Sequence, residues 1–299
     1  MAKRPQQRRR PPRPAGATAV ARVAPPATAP DEPQRPRDTD TSTDADFDAP
    51  EPAGTPGPTA TSGPATTPRP GASKSKPLLV ADRISRTYGD RTVLAPVSFR
   101  LAPGRCLAVV GVNGSGKTTL LRLATGRDTP TTGSVTFAGE PVAEERLDVR
   151  ARMAVVMDTG SHYPDLTVRE HLQFVAAAHG VPDAAGWVQW ALTDRALTSS
   201  ADDLPSALSS GQRQALSLAS ALVRPRDLLV LDEPEQRLDP GARARLVDRI
   251  AAEKADGTAV LFATHDQALA VAVADRILVL QDGKVLHDGR TVDVARDLA

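Results

Sequence analysis

The sequence predicts an α/β domain with a mostly parallel core sheet, preceded by a disordered N-terminal tail. Three observations predict this. From Pro77 onward, short β-rich apolar runs alternate with helical patterns, the order in which strand–helix–strand units lay down parallel strands. One of those runs leads straight into a glycine-rich loop that opens a helical pattern, a local strand–loop–helix order. The third observation sets the boundary: more than half of the 27 prolines fall within residues 1–76, among Ala, Thr, Ser and Asp and with almost no large apolar side chains. Such a stretch buries too little surface to offset the entropy of ordering it. Residues 1–76 therefore read as a Pro-rich disordered tail and 77–299 as the folded domain.

Strands are expected at Leu78–Asp82, Val93–Leu101, Cys106–Val110, Ser134–Ala138, Met153–Met157, Leu228–Leu231, Ala259–Ala263 and Arg276–Leu280. Helices fall between them. Val168, Leu172, Val175 and Ala176 share one helical face, as do Ala215, Leu218, Ala219 and Leu222. A longer helix rich in Arg and Ala runs from about Asp239 to Lys254 and stops before Gly257, a normal C-terminal signal. Trp187 and Trp190, three apart on one side of a helix, fill a core or face a partner.

Bulk properties narrow the class. A chain of 299 residues with 40% hydrophobic content can bury a sizeable core, and its net charge of +1 gives no reason to expect a specific nucleic-acid partner. Cys106 is the single cysteine, which excludes an internal disulfide and fits a reducing cytoplasm; its place in a strand marks it as packing. The sequence has no run of about 18 apolar residues and no apolar h-region after its basic start, so neither a membrane span nor a secretory signal is expected. The tail carries a basic cluster (Lys3, Arg4, Arg8, Arg9, Arg10, Arg13) and an acidic one (Asp38, Asp40, Asp44, Asp46, Asp48, Glu51). A solubilising role is preferred for it over a weak contact with anionic lipid or RNA.

Gly111-Val112-Asn113-Gly114-Ser115-Gly116-Lys117-Thr118 meets the phosphate-binding loop pattern in full, between the strand Cys106–Val110 and a helical run. Glycines let the backbone curl so that successive N–H groups and the helix N-terminus face phosphate oxygens. Lys117 then neutralises the β/γ oxygens, Thr118 offers its hydroxyl to Mg²⁺, and Thr119 contacts the α-phosphate region. Downstream, the apolar run Leu228–Leu231 ends in Asp232 and Glu233, so a buried strand delivers both carboxylates to the sheet edge where phosphate chemistry belongs. Asp232 would hold Mg²⁺ through its water shell, and Glu233 would polarise the attacking water.

From about Leu78 to Asp288 the chain resembles the nucleotide-binding domain of ATP-binding cassette (ABC) transporters, with the family's motifs in order. The resemblance implies a P-loop NTPase fold in which an antiparallel β subdomain and a helical subdomain, about 159–212, accompany the core sheet. Leu208-Ser209-Ser210-Gly211-Gln212 looks like the signature motif, whose Ser209, Gly211 and Gln212 would complete the ATP site of an opposing subunit. Ser209 at a helix start fits an anion site and equally a plain N-cap. His265 is similar to the switch histidine at the γ-phosphate. Tyr88 looks like the aromatic that stacks on adenine, with Val93 packing nearby, and Leu238-Asp239 resembles the loop that crosses the dimer.

The resemblance implies an ATPase that binds ATP and Mg²⁺. It would dimerise with a second copy of itself or a related subunit on ATP, and drive an integral-membrane permease from the inner face of the cell membrane. The chain ends soon after Asp288, which leans the expected direction to export. Two alternatives stay open: a soluble non-transport relative acting on ribosomes or nucleic acid, and a catalytically weak regulatory module. Three departures from the family pattern bear on them. Asp158 stands where Gln is usual; it remains a hard Mg²⁺ ligand but adds like charge near the γ-phosphate. Ser210 replaces Gly in the signature motif. Glu235, Gln236 and Arg237 replace small polar residues before Leu238, at the expected dimer seam.

Overall fold

The computed structural model describes residues 76–143, 145–157 and 162–293. In chain order these form β1 (Leu79–Tyr88), β2 (Arg91–Leu101), β3 (Cys106–Val110), α1 (Lys117–Ala124), β4 (Thr132–Phe137), β5 (Glu140–Pro141), α2 (Leu147–Ala151) and β6 (Met153–Val156). There follow α3 (Val168–Ala178), α4 (Ala184–Asp194), α5 (Ser210–Leu222), β7 (Leu228–Asp232), α6 (Pro240–Ala255), β8 (Ala259–Thr264), α7 (Gln267–Val273), β9 (Arg276–Gln281) and β10 (Lys284–Arg290).

β3, β6, β7, β8 and β9 form a parallel sheet in the order β9-β3-β8-β7-β6, and β10 adds an antiparallel edge beside β9. Every residue of β3 and β8 is buried, as a sheet covered on both faces requires. The period of two sorts their side chains. Leu107, Val109, Leu261 and Ala263 point into a core shared with Leu120 and Leu121 of α1 and with Leu79, Leu94, Phe99 and Phe137 of a second, antiparallel sheet ordered β2-β1-β4-β5. Cys106, Ala108, Val110, Val260 and Phe262 point the other way, onto Leu218 of α5, Leu246 and Ile250 of α6, and Leu269 and Val273 of α7. Burial pushes the Cys106 thiol far up, so it is an inert packing group.

A third core gathers Val168, Leu172 and Ala176 of α3, Val188, Ala191 and Leu192 of α4, and Leu216 and Ala219 of α5. Helix α5 thus packs on the sheet with one face and on α3 and α4 with another. Trp190 packs on this helical core with its ring under the Arg249 guanidinium, 4.8 Å from the centroid, and edge-on to Trp187 at 5.3 Å.

Two differences from the expected elements matter. The strand expected at Leu78–Asp82 continues to Tyr88, because it pairs with β2 along its whole length through several register shifts. The edge strand β10 was not expected; it returns from β9 through Asp282 and Gly283, both at positive φ (48° and 73°), the backbone of a two-residue hairpin turn. That turn also ties the sheets together. Gly283 donates its N–H to the Ser115 carbonyl (3.1 Å), and its own carbonyl accepts from the Ala95 amide (2.7 Å). An added Cβ there would meet the Val93 carbonyl oxygen at 2.4 Å, so only glycine fits. The tail, 1–75 within the expected 1–76, lies outside the described residues.

Candidate active site

The carboxyl ends of β3, β8 and β7 lie side by side, with Val110 paired to Thr264 and Asp232 to Ala263. The segments that leave these ends therefore meet at one edge. They surround a cleft of about 610 Å³ lined by Asn113, Gly114, Gly116, Lys117, Thr118, Thr119, Asp232 and Glu233, with Val93, Met157, Gln214, Gln236 and Arg237 around it.

The loop from Gly111 to Gly116 owes its shape to its glycines. A Cβ on Gly111 would stand 2.4 Å from the Leu280 carbonyl oxygen. Gly116, at φ 101°, is the N-cap of α1 and provides no capping side chain, a backbone state that side-chain-bearing residues rarely adopt. The first turn of α1 therefore begins with amides that no side chain caps, and its partial positive charge faces the cleft. Lys117 is 4% exposed. Its ammonium donates to the carbonyls of Gly111 (2.8 Å) and Val112 (3.1 Å) and stands 3.3 Å from Glu233 Oε1, which engages all three of its donors. The Ser115 hydroxyl is buried without a partner.

At the end of β7, Asp232 Oδ2 accepts a 2.6 Å hydrogen bond from the Thr118 hydroxyl, while Oδ1 is buried with no partner. Burial raises the carboxyl's pKa, the Glu233 charge adds to this, and Thr118 and Lys117 oppose it. An orphaned carboxylate oxygen beside a hydroxyl is the donor set of a hard divalent cation such as Mg²⁺. Among the described residues no group of three His, Cys, Asp or Glu converges as a metal cage. An ion here would draw its remaining ligands from phosphate oxygens and water, as Mg²⁺ ordinarily does.

Glu233 sits one residue beyond the strand at φ 45°, a left-handed backbone rare for a side-chain-bearing residue and common where function holds it. Its Oε2 accepts from the Gln236 amide and lies 3.3 Å from His265 Nδ1. His265, 51% exposed, follows β8 directly. The structure thus brings Lys117, Thr118, Asp232, Glu233 and His265 together.

Other expected residues lie elsewhere. Val93 lines the cleft, whereas Tyr88 is absent from the lining: its ring stacks under Arg86, 4.4 Å from the guanidinium carbon, and its hydroxyl donates to Asp128. Ser209, Gly211 and Gln212 stand at the start of α5, outside the cleft. There Ser209 Oγ accepts from the Gln212 amide (3.2 Å) and Gln212 Oε1 from the Ser209 amide (2.8 Å), a reciprocal capping box. Asp158 lies outside the described residues. Sequence reasoning read Gln236 and Glu235 only as features of a dimer seam and missed that Gln236 contacts Glu233 and that Glu235 is buried. The signal was Pro234 after two acids, a turn that folds Gln236 back onto Glu233.

Comparison with known proteins gives this geometry its context. Residues 94–236 match the family model described as ABC transporter. The chain is 37% identical over 210 residues to the Nod factor export ATP-binding protein I of Paraburkholderia xenovorans, covering 70% of this chain and 69% of that protein. It is 35% identical over 217 residues to the protein of that name from Rhizobium etli, covering 72% and 69%. Among solved structures, an ATP-binding subunit of an ABC transporter superposes with a TM-score of 0.67 at 30% identity, covering 74% of this chain and 93% of that one. CbiO1 from Clostridium perfringens, part of the ABC transporter complex cbiONQ, gives 0.65 at 25% identity, covering 74% and 92%. With its phosphate loop, paired carboxylates and histidine on one sheet edge, the chain belongs to the ABC transporter family, as an ATP-binding subunit of the kind that hydrolyses ATP.

Proposed function

We propose that two copies of this chain, or one copy and a related subunit, close on ATP and open after hydrolysis, and that this cycle drives an integral-membrane permease from the inner face of the cell membrane. The observation that carries the catalytic part is the contact of Glu233 with both Lys117 and His265. Phosphate oxygens in the loop compete with Glu233 for Lys117, so ATP binding frees the carboxylate at the place where a water must be activated. Glu233 then takes a proton from that water, the water oxygen bonds to the γ-phosphorus, and the bond from that phosphorus to the β–γ bridging oxygen breaks to release ADP. The amides of Gly114 to Thr119 hold the phosphates, and His265 stabilises charge on the γ-phosphate. Thr118 and Asp232 would hold Mg²⁺, which would supply charge neutralisation to the phosphates; Asp158 is a further candidate ligand on sequence grounds alone. Tyr88, which stacks under Arg86 outside the cleft lining, would take the adenine on the other face of its ring, with Val93 of the cleft wall packing nearby.

Ser209, Gly211 and Gln212 serve the partner's nucleotide: Ser209 and Ser210 are exposed, and none of the three lines its own chain's cleft. Among the described residues no helix is long and apolar enough to cross a membrane, which fits a separate permease. Its docking face is inferred around Tyr163 and Phe174, two exposed aromatics in edge contact at 4.8 Å on the helical unit. Direction is inferred as export, after the relatives named for export. Tagged Glu233→Gln protein, recovered from mild-detergent membranes in ATP, is expected to bring down a stoichiometric multi-span protein; recovery with ribosomes or nucleic acid instead overturns the reading.

A further inference from the structure

Glu235 is 1% exposed, unusual for a carboxyl without a salt-bridged Arg or Lys. Its Oε1 accepts from the Thr264 hydroxyl, which in turn accepts the Asp266 amide at 2.9 Å. The Thr264 carbonyl receives the Gly111 amide at 3.3 Å, so Glu235 is anchored to the residue that joins β8 to the phosphate loop. The same Oε1 lies 3.8 Å from His265 Nδ1, where Glu233 Oε2 approaches to 3.3 Å, and Glu235 Oε2 is buried with no partner. Burial raises the pKa of this carboxyl, Glu233 adds to the rise, and Thr264 and His265 oppose it. A buried, half-satisfied carboxyl weakens a fold, so its presence calls for an explanation.

We propose that Glu235 is a positioning residue for hydrolysis: seated on Thr264, it stands with Glu233 at Nδ1 of His265, keeps the ring hydrogen on that nitrogen, and so turns the Nε2 edge towards the nucleotide. This rests on the role given to His265 above. Glu233 at 3.3 Å and Glu235 at 3.8 Å from one ring nitrogen favour by their charge the tautomer with its hydrogen there, Glu235 acting through the field and not as a hydrogen-bond acceptor. Glu235 does not line the cleft; it acts through the histidine.

The test uses the full-length chain and two readouts. In steady-state ATPase assays, Glu235→Leu is expected to lower kcat about tenfold with the KM for ATP within about twofold, and Glu235→Gln, which keeps an acceptor for Thr264, to lower it about threefold. On a His265→Ala background each change should alter kcat by less than about twofold, because residues acting through one another are not additive. Equal losses on both backgrounds, or no loss on the wild-type background, overturn the proposal. Nitrogen NMR of labelled histidines, with His265 assigned from its Ala variant, reads the ring without turnover. The hydrogen is expected on Nδ1 in wild type and shared between both nitrogens in Glu235→Gln, which also serves if the Leu variant does not fold. An unchanged signal overturns the proposal even in a chain without turnover, whereas loss of turnover in wild type with the NMR shift intact counts against the ATPase reading alone.

Discussion

Helices α1 and α5 both start after a small N-cap residue, Gly116 and Ser209, and both starts are assigned to phosphate, yet the two are built differently. Helix α1 begins at a left-handed glycine with no side-chain cap, and the ammonium beside it rests on backbone carbonyls and Glu233. Helix α5 begins with two of its donors already answered, the Ser209 and Gln212 amides of the capping box, whereas the box leaves those of Ser210 and Gly211. The first start is open to an anion in the isolated chain. The second can offer the Ser210 and Gly211 amides, but a ligand that needs those of Ser209 or Gln212 must replace internal hydrogen bonds. That difference fits the proposed site shared between two subunits, in which one half would bind nucleotide alone and the other engage only when a loaded partner arrives.

The largest test of the contrast is Lys117→Ala. It removes the charge at the open start, and ATP affinity measured by calorimetry should fall on the order of 100-fold, about 3 kcal/mol; a change under about fivefold would make the α1 end no more specialised than that of α5.

Acidification tests how α5 is held. His171 of α3 is buried, with Nε2 3.0 Å from Ser220 Oγ, and the Ser220 hydroxyl donates to the Leu216 carbonyl at 2.8 Å. Ser220 therefore accepts from the imidazole, and Nδ1 is left buried and bare, so the ring is neutral. Burial, with a contribution from His162, lowers its pKa from 6.5 to about 4. The unfolded chain then binds a proton between those values that the native chain refuses. The stability is complete above about pH 6.5 and is lost as the pH falls towards 4, by about 2 kcal/mol at pH 5. Urea midpoints at pH 7 and pH 5 should show this loss in wild type and much less of it in His171→Gln. Equal losses would mean that other groups set the acid limit.

The smallest effect on the fold sharpens the contrast most. Ser209→Ala removes a cap, worth about 1 kcal/mol of stability, and should leave the ATP affinity of the isolated chain unchanged while lowering steady-state hydrolysis about tenfold. Loss of stability with full turnover would reduce Ser209 to a cap.

Much of the site was legible because its signals are contiguous. Gly111 to Thr118 and Leu228 to Glu233 each carry strand, turn and chemistry in one short segment, and the fold places them by parallel register alone. The Ser209–Gln212 spacing was legible too, although a capping box and a phosphate site share the same residue types. Less was legible where burial decides. Nothing local marks Glu235 as buried, since that depends on Thr264 arriving from another strand. Strand β10 was missed because Val285 and Leu286 are both exposed and give no alternation; the Asp282-Gly283 turn was its one signal. Tyr88 was identified by type and position, and its contacts with Arg86 and Asp128 are tertiary facts that no spacing reveals.

The most direct measurement is ATP turnover by Glu233→Gln beside wild type, with the molecular mass of each followed by light scattering in ATP. If Glu233 is the base freed from Lys117 by nucleotide, the variant binds ATP, accumulates as a dimer and turns over at least about 100-fold more slowly. Equal turnover, or a variant that stays monomeric at saturating ATP, would contradict it.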